Sequence, residues 1–437
     1  MKIEKQNYLM NNYIKYIFTF LFISINIANA QERTMLLKNG FLHVGNGEII
    51  QSAAIGIKNG KITTLKNSLA YTYSVSDWDT IIDLQGKHVY PGFVAPNTTL
   101  GITEVDAIRA TRDYHETGIL NPHVRTQIAY NVESEIIKTV RSNGILITQP
   151  TPRGGIISGT SSIMSMDGWN WEDATILKDD GVHINWPKST QHVKDNYSIR
   201  EKSENYQKQK QEIYTFFEAA ANYSTNKKQE IDLRFEALKN CFSDKKRVYF
   251  HADDLQQLND IIDFVQYFKL TSPVIVGGYD SALIARKLKD SKIAVMLYRT
   301  HSLPKRDEDP VHQPYSTAAR LQEEGVLFCL QNEGDMEAMN ARNLPFLAGT
   351  AFAYGLTEEQ AISAISLNTC KIIGIDKEYG SIEVGKSATL FVSDGNALDM
   401  RSNNVSFALI NGKPVNLNNK QKDLYNKYKQ KYQQQNK

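Results

Sequence analysis

The sequence is poor in cysteine, with only three cysteines among 437 residues. Cys241, Cys329 and Cys370 are widely spaced and form no C-x-x-C pair. This pattern excludes a disulfide framework and a zinc site built from paired cysteines. A free cysteine behaves as a small apolar side chain, so we expect all three to be buried.

The chain after residue 30 also lacks a net charge. The formal net charge of the whole chain is +2, and residues 1–30 contain three lysines and one glutamate, so the remainder is neutral. A neutral protein has no electrostatic reason to bind nucleic acid or an acidic membrane. We therefore predict no nucleic-acid partner.

The first 30 residues have the pattern of an export signal. Three lysines precede the apolar run 16–25, and Ala28-Asn29-Ala30 matches the A-x-A cleavage pattern. The apolar run is too short and too interrupted for a stable transmembrane helix. We predict a signal peptide over residues 1–30, a periplasmic or secreted protein, and no stable membrane insertion after cleavage.

Short alternating apolar runs broken by glycine and asparagine lie at both ends of the remaining chain. They occupy residues 31–90 and 376–417, with the turn dipeptides Asn39-Gly40, Asn59-Gly60 and Asn411-Gly412. Asn and Gly accept the positive φ that tight hairpin turns need. We predict that the two ends form one composite β-sandwich.

The centre of the chain, residues 91–375, alternates short apolar runs with helical patterns. Arg247–His251 and Pro273–Gly277 are examples of predicted buried strands. Such alternation indicates an α/β class, and the length favours a (β/α)₈ TIM-type barrel. The charged stretch 189–246 is predicted as a helical insertion on the outside of the barrel, and residues 418–437 as a polar tail.

Several blocks together resemble the amidohydrolase superfamily, most closely its imidazolonepropionase-like branch. They are Tyr90-Pro91-Gly92-Phe93, residues 342–361, residues 366–375, and Gly380-Ser381-Ile382-Glu383-Val384-Gly385-Lys386. The resemblance implies a (β/α)₈ barrel with a β-sandwich built from both ends. It also implies a divalent metal such as Zn²⁺ and hydrolysis of carbon–nitrogen bonds, other than peptide bonds, in small cyclic amides or related compounds.

The metal-ligand positions that the resemblance implies are mostly changed. Asn97 and Thr99 stand where the first barrel strand of the family has two histidines, and neither is a good transition-metal ligand. His251 keeps the fifth-strand histidine, whereas Gly277 and Asn332 stand at the sixth- and eighth-strand positions. Two interpretations of His251 remain open, a metal ligand and a hydrogen-bonded histidine at the barrel mouth.

Carboxylates near these positions offer a second way to build a metal site. They are Asp253, Asp254, Glu333 and Asp335. The pair Asp253-Asp254 also precedes a predicted helix, where an acidic side chain accepts backbone N–H bonds. We therefore expect this pair to cap the helix.

Two other regions are candidates for substrate binding. Arg153 is followed by Gly154 and Gly155, and adjacent glycines let a backbone approach a ligand while the arginine pairs with an anion. His301 follows the predicted strand 292–297 and is expected to face the barrel mouth.

Two functional hypotheses follow. The first is a hydrolase acting on non-peptide carbon–nitrogen bonds, with a small-molecule ligand at the barrel mouth. The alternative is a catalytically inactive ligand-binding homologue, or a partner subunit of an active amidohydrolase. A homo-oligomer or a complex with an active paralogue is the predicted assembly. Loss at most ligand positions leaves little to hold a cation, which favours the alternative.

Overall fold

A computed structural model describes residues 34–193, 196–226, 230–243, 246–334 and 336–435. The predicted signal peptide, residues 1–30, and the candidate ligand Asp335 lie outside the described residues. Within these ranges no helix has the length and apolar character needed to cross a membrane.

The strands follow the alternating apolar runs of the sequence. They are β1 Thr34–His43, β2 Ile49–Lys58, β3 Lys61–Asn67, β4 Thr80–Asp83, β5 His88–Pro91, β6 Phe93–Thr98, β7 Ile145–Pro150, β8 Ile157–Ser165, β9 Thr175–Asn185, β10 Thr190–Val193, β11 Asn196–Lys202, β12 Arg247–Ala252, β13 Pro273–Gly277, β14 Ala294–Leu297, β15 Phe328–Leu330, β16 Leu390–Ser393, β17 Val405–Ile410 and β18 Lys413–Pro414.

The α-helices lie mainly between the strands of the central region. They are α1 Glu135–Arg141, α2 Trp171–Ala174, α3 Tyr206–Thr225, α4 Leu233–Lys239, α5 Leu255–Phe268, α6 Ala285–Asp290, α7 Gln313–Glu324, α8 Glu337–Asn340, α9 Leu344–Ala353, α10 Glu358–Ala364, α11 Leu367–Ile373 and α12 Lys420–Gln435.

The two ends of the described chain meet in one sheet, as predicted. Its order is β18-β17-β16-β5-β1-β2-β3, with β4 paired to β1. The junction is the antiparallel pair β5–β16, in which Pro91 lies opposite Leu390 and His88 opposite Ser393. Buried aliphatic side chains such as Leu37 fill one face of this sheet.

One predicted hairpin turn in this sheet is wrong. Asn59-Gly60 does connect β2 to β3, whereas Asn39-Gly40 lies inside β1, at a shift in its register with β2. A Cβ at Gly40 would lie 2.8 Å from the side chains of Leu84 and Val89. The glycine therefore gives room for packing inside a bulged strand instead of making a turn.

A second sheet of the described residues forms the nearly closed barrel of the centre. Its order is β6-β7-β8-β9-β12-β13-β14-β15. Inside it, Tyr249 packs with Val94, Val274 and Met296, while a larger apolar cluster lies between the sheet and the helices. The TIM-type α/β class is confirmed.

One barrel strand departs from the parallel pattern. β8 runs antiparallel to both β7 and β9, whereas the other neighbouring pairs are parallel. Only residues 151–156 separate β7 from β8. A parallel crossover needs a dozen or more residues, so the chain must turn back along its neighbour.

The segment 189–246 contains a hairpin as well as helices. β10 and β11 pair with each other in a separate two-stranded sheet. Helix α3 then buries Ile213, Phe217 and Ala220 along one face, as the amphipathic pattern predicts. The polar tail forms α12. Cys241, Cys329 and Cys370 are free and buried.

Candidate active site

The C-terminal ends of the parallel strands surround a cavity of about 940 Å³. His251, Gly277 and Glu333 contribute to its wall, together with Tyr279 and Tyr298. His251 and Gly277 lie near the ends of β12 and β13, and Glu333 follows β15. The carboxyl ends of barrel strands are where barrel enzymes hold their substrates, so this cavity is the candidate site.

Asn97 and Arg153 form the centre of a hydrogen-bond network at the end of the first barrel strand. Asn97 is fully buried and has a φ of 48°, which asparagine tolerates better than most residues. Arg153 donates from Nη1 to Asn97 Oδ1 and from Nη2 to the Asn97 carbonyl, both at 3.0 Å. Asn97 Nδ2 donates in turn to Glu333 Oε2 at 2.9 Å.

The guanidinium of Arg153 also pairs with a buried carboxylate. Its Nη2 donates to both oxygens of Glu337, at 3.0 and 3.1 Å. Burial disfavours the charge on Arg153, but attraction to Glu337 and Glu333 outweighs it and raises the arginine pKa. Burial raises the pKa of Glu337, an effect that Arg153 opposes. A guanidinium stays protonated in proteins, so Arg153 is a fixed positive charge beside Asn97 and Glu333.

His251 is hydrogen-bonded to a second histidine, His183, which was not predicted from the sequence. His183 lies on β9, fully buried, and its Nδ1 is 2.9 Å from His251 Nε2. Its Nε2 is 2.8 Å from Ser161 Oγ. The alternation Val182-His183-Ile184 on a buried strand is the signal that points to this residue.

The chain of hydrogen bonds ends at Asp180. Ser161 Oγ donates to Asp180 Oδ1 at 2.7 Å. Tyr249 Oη and Gln149 Nε2 donate to Oδ2, at 2.6 and 3.0 Å. Burial raises the pKa of Asp180, and the hydrogen bonds from Tyr249, Ser161 and Gln149 oppose that rise.

Both imidazoles are neutral at neutral pH. Burial lowers the pKa of His251 to about 3, with a further contribution from the charge of Arg153. Burial and the neighbouring His251 hold the pKa of His183 well below its ordinary value. The charge of Arg153 contributes to the lowered pKa of both histidines.

The residues present do not fit a catalytic divalent cation. No group of three or more His, Cys, Asp or Glu side chains suited to a metal occurs among the described residues. Gly277 offers no side-chain donor, Asn97 is already bound to Arg153, and the guanidinium would repel a cation. Asn332 donates to the Glu337 carbonyl at 3.4 Å, so its amide is also engaged.

The two aspartates after β12 have structural partners. Asp254 caps α5 by accepting from Gln257 N at 3.0 Å, within a reciprocal capping box. Asp253 accepts from Lys305 Nζ at 2.5 Å. The expected helix cap is therefore made by Asp254, and Asp253 fixes the loop that follows β14.

The glycines after Arg153 are covered by the chain itself. A Cβ on Gly154 would lie 1.9 Å from the ring of His115, and one on Gly155 would lie 3.0 Å from the Ile119 carbonyl. Neither glycine lines the barrel-mouth cavity. The close approach that these glycines permit is made by residues 115–119, so no open ligand loop is formed here.

His301 lies apart from the other predicted site residues. It lines a separate surface depression of about 720 Å³ with Arg299, Tyr315 and Tyr354. Its Nε2 is hydrogen-bonded to Thr350 Oγ1, and burial lowers its pKa. The structure thus brings His251, Asn97, Arg153 and Glu333 together, without His301.

The sequence model of the amidohydrolase family matches residues 235–415. That range includes His251, Glu333 and the second part of the end sheet. Over residues 235–415 the chain is therefore similar to the amidohydrolase family. An imidazolonepropionase from Symbiobacterium thermophilum is 27% identical over 146 residues. The match covers 33% of each chain, so it spans about a third of the length of that relative.

Solved amidohydrolases share the fold. The structure of an amidohydrolase from Thermotoga maritima MSB8 matches with a TM-score of 0.74 at 23% identity, covering 87% of this chain and 99% of that one. A molinate hydrolase matches at 0.54 and 14% identity, covering 89% and 95%. The A. niger ochratoxinase matches at 0.55 and 12% identity, covering 88% and 96%. These similarities show the barrel fold alone.

Proposed function

We propose that this amidohydrolase homologue hydrolyses a carbon–nitrogen bond, other than a peptide bond, in a small cyclic amide or related compound. The substrate binds in the barrel-mouth cavity. A water molecule is activated there by His251 and Glu333 instead of by a metal ion.

One observation carries this proposal. His251 Nδ1 and Glu333 Oε2 lie 3.9 Å apart on the wall of the cavity. A neutral imidazole whose Nε2 donates to His183 has a lone pair on Nδ1, and a carboxylate is also an acceptor. Two acceptors at this separation can share one donor that lies between them. A water molecule has two hydrogens and can donate one to each.

The chemistry follows from this placement. The water oxygen attacks the amide carbon, and its proton passes to one of the two acceptors and then to the leaving nitrogen. The charge of Arg153 favours the negative charge that develops on the carbonyl oxygen. Arg153, Asn97 and Glu337 are hydrogen-bonded to one another, and Asn97 also donates to Glu333. Because these bonds occupy their polar groups, we assign this network an electrostatic role.

A second candidate function is ligand binding without turnover, alone or beside an active paralogue. It is favoured by the mutual pairing of Arg153 with Glu337 and Asn97, because these bonds occupy both terminal nitrogens of the guanidinium. The cavity itself remains, and its charged and aromatic walls suit a small polar molecule.

A metal analysis and a substrate panel separate the two functions. Purified protein is assayed by mass spectrometry for metals and tested on lactams, hydantoins and N-acyl amino acids, with and without EDTA. Hydrolysis that survives EDTA, is lost in Glu333→Gln and is kept in the surface control His312→Ala supports the proposal. Stoichiometric Zn²⁺ that is lost in His251→Ala contradicts it. Ligand binding without hydrolysis supports the second candidate.

Export and assembly form further parts of the proposal. The lysines and apolar run before Ala30 support cleavage after that residue and a periplasmic or secreted protein. N-terminal sequencing of the protein from the producing cell should find Gln31 first. Light scattering of the mature protein, alone and with an active paralogue, tests the predicted homo-oligomer and mixed complex.

A further inference from the structure

The buried hydrogen bonds that link Asp180, Ser161, His183 and His251 all donate in one direction, towards Asp180. We propose that Asp180 is a positioning residue that fixes the tautomer of His251. Its influence places the proton of His251 on Nε2 and leaves the Nδ1 lone pair facing Glu333. This inference rests on the proposed function for its catalytic meaning, but its structural content can be tested without any substrate.

The direction starts at the carboxylate. Asp180 receives hydrogen bonds from Tyr249 and Gln149 at Oδ2 and from Ser161 at Oδ1. A carboxylate with these three donors acts only as an acceptor. The single hydroxyl hydrogen of Ser161 therefore goes to Asp180, at an O–O distance of 2.7 Å, in preference to the Gly181 carbonyl at 3.3 Å.

The histidines follow in turn. Since Ser161 Oγ has given its hydrogen to Asp180, it accepts from His183 Nε2–H at 2.8 Å. His183 Nδ1 then bears a lone pair, which accepts from His251 Nε2–H at 2.9 Å. His251 Nδ1 is left unprotonated on the cavity side.

If the hydrogen bonds donated in the opposite direction, the carboxylate of Asp180 would lose the hydrogen bond from Ser161. A proton on His251 Nδ1 would place two lone pairs against each other between the histidines unless His183 also changed tautomer. His183 Nε2 would then accept from Ser161, and the Ser161 hydrogen would leave Asp180. Asp180, His183 and Ser161 are all buried, so no bulk water is available to replace that bond.

Two substitutions distinguish a positioning role from a packing role. In Asp180→Asn the amide oxygen should keep the two donors Tyr249 and Gln149, so its NH₂ group faces Ser161. Ser161 would then turn its hydrogen towards His183 Nε2 at 2.8 Å, in preference to the Gly181 carbonyl at 3.3 Å, and both histidines should become Nδ1–H tautomers. The matched variant Tyr249→Phe removes one donor to Asp180 but leaves the link through Ser161 intact, so both tautomers should stay unchanged.

The experiment is ¹⁵N NMR of the full chain with labelled histidine at pH 7. Native protein should show Nε2–H tautomers at both His183 and His251, and Asp180→Asn should show the reversal. Native Nδ1–H at His251, or tautomers that are unchanged in a folded Asp180→Asn protein, would overturn the inference. If Asp180→Asn does not fold, Ser161→Ala serves instead, and an Nδ1–H signal at His183 should then appear beside the Nε2–H signal. Its absence would count against the inference.

Kinetics separates this inference from the proposed function. For a hydrolysed substrate, Asp180→Asn should lower kcat about tenfold or more while KM changes little, because the lone pair faces the wrong way and the cavity wall is intact. Equal loss in Tyr249→Phe would indicate a packing effect and contradict the positioning role. If native protein has the expected tautomers but no hydrolytic activity, the proposed function fails and the tautomer assignment stands.

Discussion

Replacing His251 with glutamine should make folding less sensitive to acid. In the folded chain, burial and then the charge of Arg153 lower the pKa of His251 from 6.5 to about 3. The unfolded chain therefore binds a proton at this residue near pH 6.5, whereas the folded chain binds it only near pH 3. The stabilisation due to neutral His251 is fully present above pH 6.5. It is lost progressively as the pH falls through this window.

The expected magnitude follows from the size of the pKa shift. One pKa unit corresponds to about 1.4 kcal/mol. A pH of 5 lies about 1.5 units below the pKa of the imidazole in the unfolded chain. His251 alone should therefore lower the free energy of unfolding by about 2 kcal/mol at pH 5 relative to pH 8. The loss approaches about 5 kcal/mol near pH 3. Solvent screening removes little of this effect because the side chain is 12% exposed.

Urea unfolding followed by tryptophan fluorescence measures this difference. Native protein and His251→Gln are compared at pH 8 and pH 5, and the glutamine amide can still donate to His183 Nδ1. The variant should lose about 2 kcal/mol less than the native protein over this range. His312→Gln, which changes an exposed histidine, is the matched control and should behave as the native protein. Equal losses in His251→Gln and native protein would refute the buried neutral imidazole.

Three further substitutions test the packing around the site by urea unfolding. Arg153→Met leaves Glu337 buried without its cation and should cost about 3–5 kcal/mol, much of which the double change with Glu337→Leu should restore. Asp254→Ala removes the cap of α5 and should cost about 1 kcal/mol, and no measurable loss would argue against the capping box. Gly154→Ala meets the His115 ring at a φ of 86° and should cost about 1–3 kcal/mol, with partial recovery when His115→Ala is added.

Local patterns predicted most of the fold. Apolar runs identified both the barrel strands and the end strands, because a strand that is buried on one or two faces needs apolar residues at the buried positions. The antiparallel course of β8 was not predicted, since it depends on the length of one loop rather than on strand composition. Asn39-Gly40 was misread because the same dipeptide suits a turn and a bulge, and only the packing of Leu84 and Val89 decides between them.

The site was predicted less completely than the fold. Asn97 and His251 were placed at strand ends by their neighbours along the chain, and the structure brings them into one site. The partner of Arg153 was not predicted, because Glu337 is 184 residues away and their contact exists only after the barrel folds. His183 was missed for the same reason, since its importance depends on Ser161 and His251 from two other strands.

Arg153 offers part of what a catalytic metal would supply. A catalytic metal supplies positive charge, open coordination positions and a lowered pKa for bound water. A guanidinium supplies the charge but cannot coordinate water, so it stabilises an oxyanion and does not generate a nucleophile. Any hydrolysis at this site must therefore obtain its nucleophile from acceptors that take a proton. Under the proposed function, His251 and Glu333 are the cavity-facing acceptors that take this proton.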